Sequence, residues 1–548
     1  MRMMKKFVGI AAAVVALAVS APAQTAVFVG AGSSALFLEA GEAAATATTA
    51  GGVGAVCIWS QKSGLATTLT VTDSKTESGQ AWVAWTPGTP NDATTCGTIN
   101  STVNNSIYVY VQTDSVIGNR LYFNNGTLGF KTTTPVGAAT SNLISAVNSG
   151  ITEQPTLPAA IWSALASQIL TAAGTDIRPE DAEFATLRAT TPCGTAIAGS
   201  QYLGLGYTAG TATVNSYYST STFNVVNFSL PTTGFTAIPV GATPIIFAVN
   251  DTNTTNGFGT GVSNITSAML ASYLSGAYGS TSYLTGAAGN SAATVLVREP
   301  LSGTYNTVEY TVPNTVARAS SQDGGNCYTV NGAVTENPGG NGTFNSNPLN
   351  LATSDGDGYR NRVIGTGEAV KEVLAVKDAL GYAFWSTSNW AGAIASPTAR
   401  YLTVDTYDPL YNSTATNYST IKNTIPTNAT TGNNDLQYVT FTDLNNGHYP
   451  AWSALRVVTG AKGTTNYIYA NLLAQSLQGF VSTTTLPDFV PFSSLHVWRE
   501  HFTPPGVTTA TLSNGKGTAL SLSCGTEAGG DVGGVILTSA SCTTGGRQ

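Results

Sequence analysis

The stretch Val295-Leu296-Val297-Arg298-Glu299-Pro300-Leu301-Ser302-Gly303-Thr304-Tyr305-Asn306-Thr307-Val308-Glu309-Tyr310 decides how the chain is read. Three aliphatic residues ending in an arginine describe a buried strand that delivers a cation to its carboxyl end. Ser302-Gly303-Thr304 then opens a helix, with Tyr305 and Val308 apolar at helical spacing. A helix start leaves N–H groups unpaired and carries partial positive charge, so it suits an anion. Gly303 lets a ligand approach the backbone, Ser302 and Thr304 add hydroxyl donors, and Arg298 offers two parallel N–H groups. A plainer account has Ser302 as a helix cap and Arg298 paired with a surface acid.

The chain has 548 residues, enough for two to four domains, and only 9% are charged while 42% are hydrophobic. That balance, with abundant Gly, Ser, Thr and Asn, describes an exported, β-rich protein and not a disordered one. A formal charge of −7 argues against nucleic acid, which needs a basic stripe, and requires any anion site to be built locally. Met1 to Lys6, the apolar run Phe7 to Val19 and Ala21-Pro22-Ala23 predict a signal peptide over 1–23. No later run is long enough for a membrane span, and no cysteine stands at the cleavage site to take a lipid. The six cysteines suit an oxidising compartment, periplasmic or extracellular. Proximity pairs Cys57 with Cys96 and Cys524 with Cys542, leaving Cys193 and Cys327.

The opening of the mature chain repeats the strand, turn and hydroxyl theme. Val27-Phe28-Val29-Gly30-Ala31-Gly32-Ser33-Ser34 leads into an apolar helix from Ala35, with Ser33 as its cap. From Gly51 to Pro158 short alternating runs predict antiparallel strands: Thr68–Thr72, Ala81–Trp85, Ser106–Val111 and Asn119–Phe123. Their aromatic residues, Trp82, Trp85, Tyr108, Tyr110 and Tyr122, suit sheet packing better than sugar stacking. A helix is expected over Ala159–Ala173, then Gly174-Thr175-Asp176 and a second helix opened by Pro179. Pro244 to Asn250 is an apolar strand able to cross between lobes. Further helices are expected near Ile265–Gly276, Glu368–Leu380 and Tyr467–Phe480, and strands at Tyr382–Trp385, Tyr401–Asp405 and Ala454–Val458. Helices alternating with single strands around a β-rich region predict an α/β fold.

Gly30-Ala31-Gly32-Ser33-Ser34, Thr175-Asp176, and Arg298 with Ser302-Gly303-Thr304, in that order, resemble the phosphate-binding proteins of ABC-type phosphate uptake. Met269 to Gly276, Ala379-Leu380-Gly381-Tyr382 and Asn446-Gly447-His448-Tyr449-Pro450 add to the likeness, which covers Val27–Leu38 and roughly Ile161–Phe502. It implies a two-lobed periplasmic-binding-protein fold of type II carrying an added antiparallel β-rich insertion. The implied division is a first lobe over 24–243 with its insertion at 51–158, a second over 244–400, a return to the first over 401–502, and a tail over 503–548. It also implies a site of Ser33, Ser34, Asp176, Arg298, Ser302, Gly303 and Thr304. There Asp176 accepts from a protonated phosphate oxygen, and the expected partners are phosphate and a membrane permease, with the protein a monomer and without cofactor. Two departures stand out: Ala35 replaces a bulky aromatic, and the family's Ser-Ser-Gly-Gly element is missing, with Ser60 as a weak stand-in.

Catalysis finds little support in the sequence. It lacks a G-x-S-x-G elbow, an H-E-x-x-H pair and a P-loop, and its three histidines are scattered. Ser354-Asp355-Gly356-Asp357-Gly358 is an incomplete calcium loop and reads as a polar turn. The competing account is a binding-protein fold reused as a surface, adhesion or assembly component, with 51–158 as its working face.

Overall fold

The computed structural model describes residues 24–45, 57–61, 80–86, 106–130, 153–192, 233–287, 291–312, 357–391, 398–426, 435–483 and 488–491, with shorter pieces between and beyond them. The signal peptide and the Cys524–Cys542 and Cys193–Cys327 pairings lie outside the described residues.

The backbone is a 13-stranded mixed sheet. Its principal strands are β1 (Thr25–Gly32), β2 (Cys57–Gln61), β3 (Ala81–Trp85), β4 (Ser106–Gln112), β5 (Ala172–Thr175), β6 (Phe235–Asn250), β7 (Thr294–Arg298), β8 (Tyr359–Val363), β9 (Ala379–Phe384) and β10 (Trp452–Gly460). Their spatial order is β8-β7-β9-β6-β10-β5-β1-β4-β3-β2. The helices that accompany these strands include α1 (Phe37–Ala45), α2 (Ser115–Phe123), α3 (Pro179–Thr190), α4 (Gly303–Thr311), α5 (Gly365–Ala375) and α6 (Thr465–Thr483).

Strand β6 joins two strand sets. Its first part, Phe235 to Pro244, runs antiparallel to β10, and its second, Ile245 to Val249, runs antiparallel to β9. The changeover falls at Pro244, whose carbonyl accepts from Trp385 N at 2.9 Å while Ile245 N donates to Ala451 at 2.8 Å. Alternation explains why this strand is apolar on both faces from Pro244 to Val249: Ile245, Phe247 and Val249 enter one core, while Ile246 and Ala248 enter another. On one side β4, β1 and β5 are mutually parallel, and on the other β8, β7 and β9 are. This is the mixed α/β architecture, built on one large mixed sheet, that the sequence predicted.

Several local expectations are corrected. Asn119–Phe123 is not a strand but part of α2, because Val116, Ile117 and Leu121 lie on one helical face and are buried there. Strand β4 does not belong to an antiparallel addition alone: it pairs antiparallel with β3 but parallel with β1. The helix after Pro158 stops at Leu165, and Ala172–Thr175 is strand. Likewise α5 ends at Ala375, and Ala379-Leu380 already belongs to β9. The element Tyr401–Asp405 is two short strands, Ala399–Tyr401 and Thr403–Val404. Each of these stretches is apolar enough to fit either periodicity, and the neighbours available for pairing decided the outcome.

At the outer edge β2 and β3 extend the first set antiparallel to β4. Cys57, opposite Trp85 in this ladder, is bonded to Cys96, with Cα atoms 5.5 Å apart and a sequence separation of 39. Trp85 Nε1 donates to the Cys96 carbonyl at 3.2 Å, which fixes the returning loop on the strand. Loop-closure entropy predicts that Cys57→Ser lowers the unfolding free energy by roughly 3–4 kcal/mol, measurable by guanidinium titration of the oxidised proteins.

Candidate functional site

Five strands of the two sets end in one place. After β1 come Ser33 and Ser34; after β4, Asp114 and Ser115; after β5, Asp176; at the end of β7, Arg298; and after β8, Gly365 and Thr366. Open α/β sheets bind ligands at the carboxyl ends of their strands, where loops turn into helix starts. Here α2, α4 and α5 begin at this point, and the short 3₁₀ turn Ser34–Leu36 leads into α1. Helix starts carry partial positive charge, which favours an anion at this spot despite the acidic chain.

Tight backbone packing draws the first set together. Gly32, at φ +141°, lies so close to the Gly174 carbonyl that a Cβ there would stand 1.9 Å from its oxygen. Ser33 N donates to Gly174 O at 2.8 Å, Tyr110 Oη donates to Ser33 O at 2.8 Å, and Thr113 N donates to Gly32 O at 2.7 Å. The Ser33 hydroxyl accepts from Ala35 N at 3.1 Å, so it caps the turn, as expected. Ser302 does the same for α4, accepting from Tyr305 N at 3.4 Å.

The second set supplies the cation. Arg298 is 1% exposed. One edge of its guanidinium is held by Glu299, with Nε to Oε2 at 2.8 Å and Nη2 to Oε1 at 2.9 Å. Glu299 in turn accepts from Gly365 N at 3.1 and 3.3 Å. Burial works to lower the Arg298 pKa, but Glu299, with Asp114 and Tyr382, together outweighs it and keeps the guanidinium charged. Its other edge is turned to hydroxyls: Nη1 lies 3.4 Å from Thr304 Oγ1 and 3.3 Å from Thr366 Oγ1. Thr366 Oγ1 is also 3.4 Å from Ser34 Oγ, a contact that bridges the two sets. The two guanidinium contacts are hydrogen bonds longer than the ~2.9–3.0 Å usual for N–H···O.

Asp176 completes the cluster. It accepts from the Ser115 hydroxyl on Oδ1, and its own N–H donates back to Ser115 Oγ at 3.2 Å. Its carboxylate lies against Gly303, where a Cβ would stand 1.6 Å from Oδ1, so only glycine fits. Burial pushes the Asp176 pKa up to about 6, against the Ser115 hydroxyl, its own backbone N–H, Arg298 and Arg456, all of which favour the charged form. Behind the site a buried ion pair, Arg188 Nη1 to Glu309 Oε1 at 2.9 Å, ties α3 to α4.

These contacts connect Ser34, Asp176, Arg298, Gly303 and Thr304, with Ser33 and Ser302 capping the helix starts beside them. Sequence reading missed four residues: Asp114, Ser115, Glu299 and Thr366. Thr113-Asp114-Ser115 follows an apolar strand and precedes Val116-Ile117, the same signal as at Ser33-Ser34, but it was hidden inside an apparent run of hairpins. Gly365-Thr366-Gly367 after Val363 carries the same signal. Ser60, the stand-in for the missing serine element, lies instead on β2 and donates to Glu153. The residue beside Asp176 is Ser115.

No protein-family model matches the chain, and no curated protein matches it in sequence. Among solved structures it is similar to phosphate-binding proteins. A phosphate-binding protein from Stenotrophomonas maltophilia is 16% identical at a TM-score of 0.32, over 70% of this chain and 84% of the other. A high-affinity periplasmic phosphate-binding protein bound with phosphate is 11% identical at 0.31, over 85% and 90%. An ABC-type phosphate transport receptor from Vibrio cholerae is 12% identical at 0.26, over 46% and 72%. Among the described residues no helix is long and apolar enough to cross a membrane.

Because Asp176 titrates higher folded than its ordinary value of 3.8, its neutral form favours the folded state. Its contribution is present below the ordinary value and is lost as pH rises through about 6. Between these limits the unliganded protein loses stability with rising pH by up to about 1.4 kcal/mol per pH unit from this one proton. Chemical unfolding of Asp176→Asn beside the unmodified protein over that window should show this share of the slope removed.

Proposed function

We propose that the chain is an exported solute-binding protein that captures phosphate, or a similar tetrahedral oxyanion, between its two strand sets and hands it to a membrane ABC permease. The observation that carries this reading is the buried Arg298, whose Nη1 donates through long hydrogen bonds to the Thr304 and Thr366 hydroxyls, with Ser34 close by. Helix starts provide further N–H donors, and a tetrahedral anion has enough oxygens to take several donors at once. The candidate ligand set is Ser33, Ser34, Asp176, Arg298, Ser302, Gly303 and Thr304, to which Thr366 and Ser115 are added.

Asp176 supplies the discrimination. An ionised carboxylate only accepts, so it pairs with a ligand oxygen that bears a proton. Sulfate has no such proton at neutral pH, and its lone pairs would face a buried negative charge. The function is binding, with no nucleophile and base arranged for chemistry at this point. A first lobe over 24–243 and 401–502, and a second over 244–400, closing on the anion as hinged bodies, make the transport role mechanically reasonable.

Isothermal titration of the mature protein with phosphate, sulfate and arsenate tests this. Phosphate is expected to bind at micromolar concentration or tighter, and sulfate much more weakly. Absence of binding by any of these anions removes the transport reading in favour of a surface component. Arg298→Ala should weaken phosphate binding by about 2–5 kcal/mol, since it deletes a buried charged donor. Thr366→Val, which keeps shape and removes one hydroxyl, should cost about 1.5–3 kcal/mol. Asp176→Asn should instead narrow the gap between phosphate and sulfate.

A further inference from the structure

Gln322 is buried, and each polar group it carries is engaged by another part of the second strand set. Its Nε2 donates to the Tyr305 carbonyl at 3.0 Å and to Glu309 Oε2 at 3.1 Å. Its backbone N–H donates to the same carboxylate oxygen at 2.9 Å. Its carbonyl accepts from Arg360 Nη1 at 2.6 Å, which seats the residue on β8. Its Oε1 accepts from the Tyr382 hydroxyl on β9, and that hydroxyl in turn accepts from Arg298 N at 3.2 Å. Chemistry fixes the orientation of the amide. A carbonyl and a carboxylate only accept, so the end facing them is the nitrogen, and the oxygen is left for Tyr382.

Resting on the phosphate reading, we propose that Gln322, acting through Tyr382, is a positioning residue for the anion site: it holds the Arg298 end of β7 and the first turn of α4 in one fixed relation. Arg298 and Gly303-Thr304 are separated by the turn Glu299-Pro300-Leu301-Ser302. The brace ends on both sides of that turn. Tyr305, whose carbonyl Gln322 holds, stands next to Thr304 in the first turn of α4, and Tyr382 holds the Arg298 N–H. A phenol has one proton and rotates to suit its neighbours. With that proton committed to Gln322, the lone pairs of Tyr382 are left for Arg298 N. Burial pushes the Tyr382 pKa up, so the proton stays in place. The 3.4 Å separation of Arg298 Nη1 from Thr304 Oγ1 is thereby set from behind the site. Groups that share a ligand bind it well only when their own positions are locked by packing and by further hydrogen bonds. The same amide steadies Glu309, whose ion pair with Arg188 joins α4 to α3 of the first set.

The test uses Gln322→Met and Tyr382→Phe, which keep size and remove the hydrogen bonds. Calorimetric titration with inorganic phosphate reads affinity, the phosphorus NMR resonance of the bound ion reads the arrangement of donors around it, and urea unfolding reads stability. Both variants should bind phosphate about 10–100-fold more weakly, the range found when the partner that orients a metal-binding group is lost, with the bound resonance displaced. Gln322→Met strands a carbonyl and a hydroxyl; if it does not fold, Tyr382→Phe decides by the same two readouts. Folded variants that bind phosphate as tightly as the unmodified protein overturn the inference and leave the phosphate reading standing. Weaker binding with an unmoved resonance marks a general loss of stability and also counts against it, as does failure of both variants to fold. No phosphate binding by the unmodified protein overturns both the inference and the phosphate reading.

Discussion

A guanidinium buried at the end of a strand is the constraint on which the rest of this molecule depends. Arg298 is 1% exposed, and a charge so far from water is tolerated only when its donors are met. Glu299 meets one edge from the adjacent residue, and Glu299 is itself steadied by the first N–H of α5. The other edge is not met by a carboxylate in good geometry. It faces two threonine hydroxyls at the starts of α4 and α5. An arginine arranged in this way is half structural and half available, and the available half points where helix starts converge.

The convergence depends on the sheet. Parallel strands all point their carboxyl ends one way, and each is followed here by a turn and a helix, so the helix starts collect at one edge. Strand β6 allows two such edges to meet. Because it pairs with β10 along its first part and β9 along its second, both strand sets share a single continuous ladder. The Ser34 to Thr366 contact and the buried Arg188 to Glu309 pair then join the sets away from β6. Removing one partner of that buried pair would leave a charge stranded, which makes the pair a device for orientation more than for net stability.

Much of this was legible in the sequence. The run from Val295 to Tyr310 specifies strand, cation and helix start by composition alone, because an aliphatic run, a Ser-Gly-Thr turn and apolar residues at helical spacing have few other solutions. Ser302 capping α4 and Ser33 capping the turn after β1 are local facts of the same kind, set by backbone donors within three residues. The proximity of Cys57 and Cys96 was likewise enough to suggest their bond. Pro244 to Asn250 declared itself as a buried strand by having no polar face.

What the tertiary structure alone decided is which local signals face one another. Thr113-Asp114-Ser115 has the same character as Gly32-Ser33-Ser34, but Tyr108 and Tyr110 alternate with valines exactly as a hairpin strand would. Only the parallel pairing of β4 with β1 places Ser115 on Asp176. Gly303 is required not by its own turn but by a carboxylate from a strand 127 positions earlier in sequence, at Asp176. Glu299 carries no distinguishing pattern, and although Gly365-Thr366-Gly367 repeats the turn signal, the roles of both residues come from lying beside one guanidinium. Sequence fixes what each strand end can donate or accept through nearest-neighbour chemistry. Pairing across the sheet, a long-range choice made by burial, determines which of those ends lie side by side.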